Sequence, residues 1–138
     1  MVIIKKTHNP FSLKHRHCNH TLKFGRFGLK VLSFSKITES QLNLMERLSL
    51  KFLKISSSNK KLVKIWSLNP INLTLTKLSS ESRMGKGKGA VYSKAFFLRP
   101  GSILFEFEGV SKQQLAEILI LLKKNVSFKI VKIRLPFK

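Results

Sequence analysis

Ser82 to Ala90 reads SRMGKGKGA, in which Gly85, Gly87 and Gly89 alternate with Lys86 and Lys88 behind Arg83. Glycines let a backbone approach a ligand closely and turn its N–H groups toward phosphate oxygens. Lys86 and Lys88 add point charges. Arg83 adds a planar fork that can hold a phosphate or a base edge through two parallel bonds, which lysine cannot reproduce. The chemistry of such a loop suits phosphate-rich RNA. Two nucleotide readings of the same glycines are weaker. Gly85, Gly87 and Ala90 satisfy the loose G-x-G-x-x-A pattern, but no strand clearly leads in and a strand, not a helix, follows. No acidic residue stands about 20 positions downstream in a βαβ context. The Walker pattern fails outright.

Other reactive residues form no better site. His15, His17, Cys18 and His20 are dense enough to attract a soft metal, yet they lack paired C-x-x-C or H-x-x-x-H spacing, and four ligands so close in a flexible arm would strain a tetrahedral zinc site. Stacking and hydrogen bonding of His on unpaired bases explains the same residues. The only carboxylates are Glu39, Glu46, Glu81, Glu106, Glu108 and Glu117. Glu106 and Glu108 share one strand face, read here as the solvated edge of a hairpin. Asp is absent and every His lies in the arm, so a Ser-His-Asp triad is excluded.

Charge frames these residues. The 138-residue chain carries 27 Lys and Arg against 6 acids, a formal net charge of +21 that would make a compact body repel itself unless a polyanion neutralises it. No acid precedes Glu39, while Lys5, Lys6, Lys14, Arg16, Lys23, Arg26, Lys30 and Lys36 accumulate. A second acid-free stretch between Glu81 and Glu106 holds Arg83, Lys86, Lys88, Lys94 and Arg99. One charge run is usually a solvated face; two in one short chain favour nucleic acid. No stretch reaches the roughly 18 to 20 uncharged apolar residues of a spanning helix, so no membrane span is expected. A single Cys18 fits a reducing compartment, and Met1–Ile4 is too short for a signal core. Abundant Lys, Ile, Phe and Asn without Asp follow an AT-rich gene and favour an organellar genome.

The elements that must position these groups are legible in outline. Residues 1–24 lack periodicity and read as an extended basic arm that orders against a partner. FGRFG supplies a turn, and Leu29–Phe34 suits a strand. Thr38 and Gln41 form a capping box before Leu42, Met45, Leu48, Phe52 and Ile55, an amphipathic helix with Arg47, Lys51 and Lys54 opposite its apolar stripe. Lys61–Trp66 reads as a strand with Trp66 in the core, and Asn69 with Pro70 as a turn. Ser79–Gly89 must be a loop. Ala95–Leu98, the Pro100–Gly101 turn and alternating Ile103, Phe105 and Phe107 carry a hairpin signature. Ser111 and Gln114 cap a second amphipathic helix through Leu115, Ile118, Leu119 and Leu122. In the last strand, Ser127–Leu135, the apolar phase slips at Ile130 and Val131, which predicts a bulge or burial on both faces. The expectation is one α+β domain, residues 25–138, with a mixed or antiparallel sheet, two amphipathic helices and the loop 79–90 inserted.

SRMGKGKG followed by RPGSILFEFEGV is very similar to the motif pair of the large-subunit ribosomal protein L sixteen family. FGRFGLK at Phe24–Lys30 looks like that family's F-G-x-F-G-L-K, and Ile37–Arg47 and Ser111–Lys124 resemble its two helices. The resemblance runs from about Lys5 to Arg134. It implies a β-hammerhead-like element in the fold, no cofactor, and a seat on large-subunit rRNA beside the aminoacyl-site tRNA, among neighbouring ribosomal proteins and without homo-oligomerisation. Carried over by position, Arg83, Met84, Gly85, Lys86, Gly87, Lys88 and Gly89 would form the loop reaching toward tRNA, and Lys5, Lys6, Lys14 and Arg16 would thread among rRNA helices. Lys23, Arg26 and Lys30 continue the same acid-free run. The sequence departs from the family pattern at His15–His20, at Lys94 before the turn, at Lys124–Val126 where the family has K-L-P, and over Leu68–Ser80. This drift and the composition fit a mitochondrial copy, with a plastid one as the alternative.

Two other classes stay beside the ribosomal reading: an RNA-modifying or nucleotide-using enzyme built on the glycine loop, and a zinc-dependent RNA-binding module. Without RNA to neutralise the arm and loop, the isolated chain is expected to be poorly soluble or to aggregate, and to carry no stoichiometric zinc. Light scattering and metal analysis of the purified protein check both points, and a monodisperse protein with an ordered arm would contradict the electrostatic reading.

Overall fold

A computed structural model describes residues 5–7, 19–56, 62–69, 71, 73–85 and 87–135. Along the described chain run β1 (Phe27–Val31), β2 (Ser35–Thr38), α1 (Glu39–Ser56), β3 (Lys64–Ser67), β4 (Leu73–Lys77), β5 (Ala90–Leu98), β6 (Ile103–Glu108), α2 (Lys112–Lys123) and β7 (Ile130–Arg134). The strands form two antiparallel sheets, a four-stranded one ordered β3-β6-β1-β7 and a three-stranded one ordered β2-β5-β4. The fold is α+β, with two sheets in place of a single one.

The two sheets share one bent ribbon. β1 pairs with β6, Phe27 opposite Phe107 and Lys30 opposite Ile103, and β2 pairs with β5, Ser35 opposite Leu98 and Thr38 opposite Ala95. At the bend Val31 N–H donates to the Ser102 carbonyl at 2.9 Å and Gly101 N–H donates to the Val31 carbonyl at 2.7 Å. The hairpin expected across Pro100 and Gly101 is therefore corrected, because β5 and β6 join at the turn but do not pair with each other. Arg99 O accepts from Ser102 N and Oγ, at 3.1 and 2.6 Å, and closes the turn. With Gly101 and Ser102 bonded to Val31, β6 is steered onto β1.

The two faces of the four-stranded sheet differ. One carries Phe27, Leu29, Val31, Phe105 and Phe107, which pack with Leu42, Met45 and Leu53 of α1 and with Leu115, Ile118 and Leu122 of α2 in a single core. The other carries Trp66, Glu106, Gly28 and Ile133 in one row across the strands. Residues 103–107 of β6 are all buried. The alternation read in the sequence as one dry and one wet face thus lies in a strand covered on both sides, and Glu106 is not a solvated edge.

Both helix starts behave as their spacing predicts. Thr38 N–H donates to Gln41 Oε1 at 3.0 Å and Gln41 N–H donates to Thr38 Oγ1 at 3.3 Å. Ser111 and Gln114 exchange the same pair of bonds at 2.9 and 3.2 Å. Gln114 Nε2 also reaches the Ser56 carbonyl and hydroxyl, which ties the first turn of α2 to the last residue of α1. The buried line of α1 is Leu42, Met45, Ser49 and Leu53, while Ile55 is 78% exposed. Steps of three, four and four keep to the 3.6-residue period and carry the stripe past Ile55. Ser49 fits there because its hydroxyl donates back to the Met45 carbonyl at 2.8 Å.

β7 pairs with β1 in unbroken register from Ile130 opposite Val31 to Arg134 opposite Phe27. The expected bulge is absent from this strand. It lies at the sheet edge, with Ile130 buried and Val131 exposed, so the second apolar residue simply faces water. β4, inside the stretch that the sequence left without an element, completes the smaller sheet. Replacing Ser111 with Ala removes an N-cap acceptor and is expected to cost about 0.5–2 kcal/mol. Urea unfolding with an unchanged m-value checks it, and an unchanged midpoint would show that the cap carries no weight.

Candidate nucleic-acid interface

The loop linking β4 to β5 holds the strongest motif. Its base is set by the pair Lys77 and Ala90, and Gly89 lies so close to the Lys77 carbonyl that a side chain there would collide. Beyond that base Arg83 and Gly85 are exposed and Met84 is 93% exposed. Gly85 and Gly87 have φ of +95° and +80°, and nothing lies within 4 Å of the place a Cβ would take on either. The positive φ, not crowding, selects glycine at these two positions. Among the described residues of the tip, Arg83, Met84, Gly85 and Gly87 are exposed and none belongs to the core.

Residues 5–7 of the basic arm reach this loop. Thr7 N–H donates to Thr74 Oγ1 at 2.7 Å, Thr74 N–H donates to Thr7 Oγ1 at 3.0 Å, and the two hydroxyls lie 3.0 Å apart. Thr74 Oγ1 also donates to the Lys5 carbonyl at 3.3 Å. These bonds cover the open edge of β4. Lys6 Nζ then donates to the Lys88 carbonyl at 2.9 Å, and Lys88 Nζ donates to the Thr7 carbonyl. The two acid-free stretches recognised in the sequence are thereby fastened together at the loop base. Each lysine is held by a backbone carbonyl of the other segment.

The root of the arm is fixed on β6. Ile103 N–H donates to the Asn19 carbonyl at 2.8 Å. The carboxylate of Glu106, 0% exposed, accepts from three successive backbone amides: Lys23 at 3.1 and 3.2 Å, Phe24 at 2.7 Å and Gly25 at 2.9 Å. Converging N–H groups of this kind form an anion-binding concavity. Gly25 is required because a Cβ there would stand 2.6 Å from the Phe107 carbonyl oxygen. Leu22 fills the space above Gly28, and Phe24 stacks on Trp66 with ring centroids 5.9 Å apart. Trp66 is half-buried in that stack, not enclosed in the core.

Of the other expected site residues, Lys23 and Arg26 are exposed and Lys30 is half-buried on β1. Lys14, Arg16 and Lys86 lie outside the described residues, as do His15, His17 and Cys18 of the possible metal cluster. Among the described residues no three His, Cys, Asp or Glu stand together as metal ligands. Arg47, Lys51 and Lys54 are all exposed on α1, as the helical wheel predicts. No helix among the described residues is long and apolar enough to cross a membrane. Sequence reasoning missed Glu106 and Thr74. The signal available for Glu106 was an acid set between Phe105 and Phe107 in an otherwise apolar strand; its place opposite Gly28 is decided by strand pairing. Thr74 carried no comparable signal.

The sequence also has relatives among known proteins. The family described as ribosomal protein L16p/L10e matches residues 3–133. A large ribosomal subunit protein uL16m from Chondrus crispus is 80% identical over 138 residues, the full length of both chains. The large ribosomal subunit protein uL16 of Psychrobacter arcticus is 33% identical over 125 residues, covering 91% of this chain and 87% of its own. That of Mesorhizobium japonicum is 37% identical over 98 residues, covering 71% and 67%.

The fastening of residues 5–7 yields a direct expectation. Thr74→Val removes the acceptor for the Thr7 amide, a bond worth about 1 kcal/mol net, which raises the open population roughly fivefold. Limited trypsin digestion is expected to cut after Arg83 and Lys88 faster by about that factor, with the rest of the chain unaffected. An unchanged rate at these two sites would show that the strap does not hold the loop.

Proposed function

The chain belongs to the ribosomal protein L16p/L10e family, and from that premise we propose that it binds large-subunit rRNA beside the aminoacyl-tRNA site and supports tRNA positioning and subunit assembly. It is a structural constituent of the large ribosomal subunit and not an enzyme. At 80% identity over the whole chain to the uL16m of Chondrus crispus, it is a component of the mitochondrial ribosome. Large-subunit rRNA and neighbouring ribosomal proteins are its partners, and the tRNA of the aminoacyl site is the further one proposed.

In this reading residues 1–24 form the rRNA-binding arm and residues 25–138 the body from which the loop projects. Lys5, Lys6, Lys14, Arg16, Lys23, Arg26 and Lys30 neutralise rRNA phosphates. Arg83, Met84, Gly85, Lys86, Gly87, Lys88 and Gly89 reach toward tRNA. The observation that carries the reading is the junction of the two acid-free segments through Lys6, Thr7 and Lys88. Like charges gathered this way with no acid among them gain stability only when phosphates approach and release their counterions.

Mitochondrial ribosomes carrying Arg83→Ala together with Lys86→Ala are expected to keep the protein in the large subunit and to lose aminoacyl-site tRNA affinity on the order of tenfold. The salt dependence of that binding should flatten by about 0.7–0.9 in log-log slope for each phosphate that is no longer neutralised. Sucrose-gradient sedimentation and tRNA filter binding read the two effects. Unchanged tRNA affinity in correctly assembled particles would overturn the role given to the loop.

A further inference from the structure

A carboxylate with no exposure is costly to bury unless hydrogen-bond donors surround it. In a chain with 27 Lys and Arg, a cation would be the obvious partner. Glu106 instead takes the amides of Lys23, Phe24 and Gly25. The choice of donor has a mechanical consequence. A side-chain cation on a flexible stem leaves the backbone free to turn, whereas three successive amides held by one carboxylate fix the φ and ψ angles of the residues that carry them. Leu22 seated over Gly28 and Phe24 stacked on Trp66 hold the same few residues from either side. The backbone of Lys23 is thus immobilised while its side chain stands exposed.

We infer that Glu106 is the positioning residue of the basic arm: its buried carboxylate clamps the amides of Lys23, Phe24 and Gly25, so that the root of the arm is held in one backbone conformation before RNA is bound. The inference rests on the arm reading above and deepens it. rRNA then meets a root already ordered, and the ordering entropy of that segment is not charged against binding. Glu106 touches no RNA itself. Its effect on affinity therefore passes entirely through the arm cations.

The test is a cycle in the full-length chain. Glu106→Leu deletes the acceptors and leaves three amides orphaned; Glu106→Gln keeps one acceptor oxygen and loses the charge. Each is combined with an arm-neutralised background, Lys5→Gln, Lys6→Gln, Lys14→Gln, Arg16→Gln and Lys23→Gln, and binding to transcribed large-subunit rRNA is titrated over a range of salt. On the wild-type arm, Glu106→Leu is expected to weaken binding on the order of tenfold and Glu106→Gln by less. On the neutralised arm either change is expected to matter less than about twofold. Hydrogen exchange should show the amides of Lys23, Phe24 and Gly25 losing protection while Leu29 and Ile118 keep theirs. Should Glu106→Leu fail to fold, the same cycle is read with Glu106→Gln. Equal losses on both backgrounds, or amides 23–25 that stay protected, would overturn the inference and leave the arm's role intact. An arm-neutralised chain that binds rRNA as tightly as the wild type would overturn the arm reading, and this inference with it.

Discussion

The antiparallel ribbon formed by residues 27–38 against residues 95–107 carries both basic segments. Its pairing is interrupted by a register shift between Leu29 and Lys30, opposite Leu104, and turns a corner where Val31 bonds to Gly101 and Ser102. That corner sends β1 and β6 into one sheet and β2 and β5 into another. One end of the long β5–β6 run begins at the base of the glycine loop. The other end holds Glu106, on which the root of the arm is fixed. The separation of the loop base from the root of the arm is therefore a property of one backbone ribbon, and α1 and α2 act mainly by burying its apolar face.

Each basic segment lacks acids of its own, so the acceptors that hold it are backbone carbonyls, threonine hydroxyls and one buried carboxylate. At the loop base, Lys6 and Lys88 are held by backbone carbonyls and Thr7 is held by Thr74. At the arm root, backbone amides are held by a single buried carboxylate. Neither arrangement consumes Arg83 or Lys23, which stay exposed. The protein thereby keeps much of its positive charge available to a polyanion while tying down the chain that bears it. A pairing of surface Lys with surface Glu would have cancelled the charge that the family's ribosomal function draws on.

Signals in the sequence are legible where the physics is local. Both capping boxes follow from Ser or Thr placed three residues before Gln, because the bonds close within one turn. The loop follows from glycines and lysines that cannot sustain an element. Expectation and structure part where a distant strand decides. The period-two pattern of Ile103, Phe105 and Phe107 is the same for a strand with one wet face and for one whose second face is covered by residues 19–25. The Pro-Gly turn looks alike whether the following strand folds back or crosses to another sheet. Ile130 and Val131 suggest a bulge that an edge position makes unnecessary.

Composition and motif by themselves determined that this is a basic α+β protein with an arm and a glycine-lysine loop, and the resemblance of its motifs already pointed to the ribosome. These are properties of residue type and short spacing, carried along the chain wherever it folds. Only the tertiary structure decided that residues 5–7 strap the loop, that Glu106 receives the arm, and that one ribbon turns a corner between two sheets. The physical reason is separation: Thr7 meets Thr74 and Lys23 meets Glu106 across 67 and 83 positions of sequence, and no local propensity encodes which donor will find which acceptor once the strands have paired.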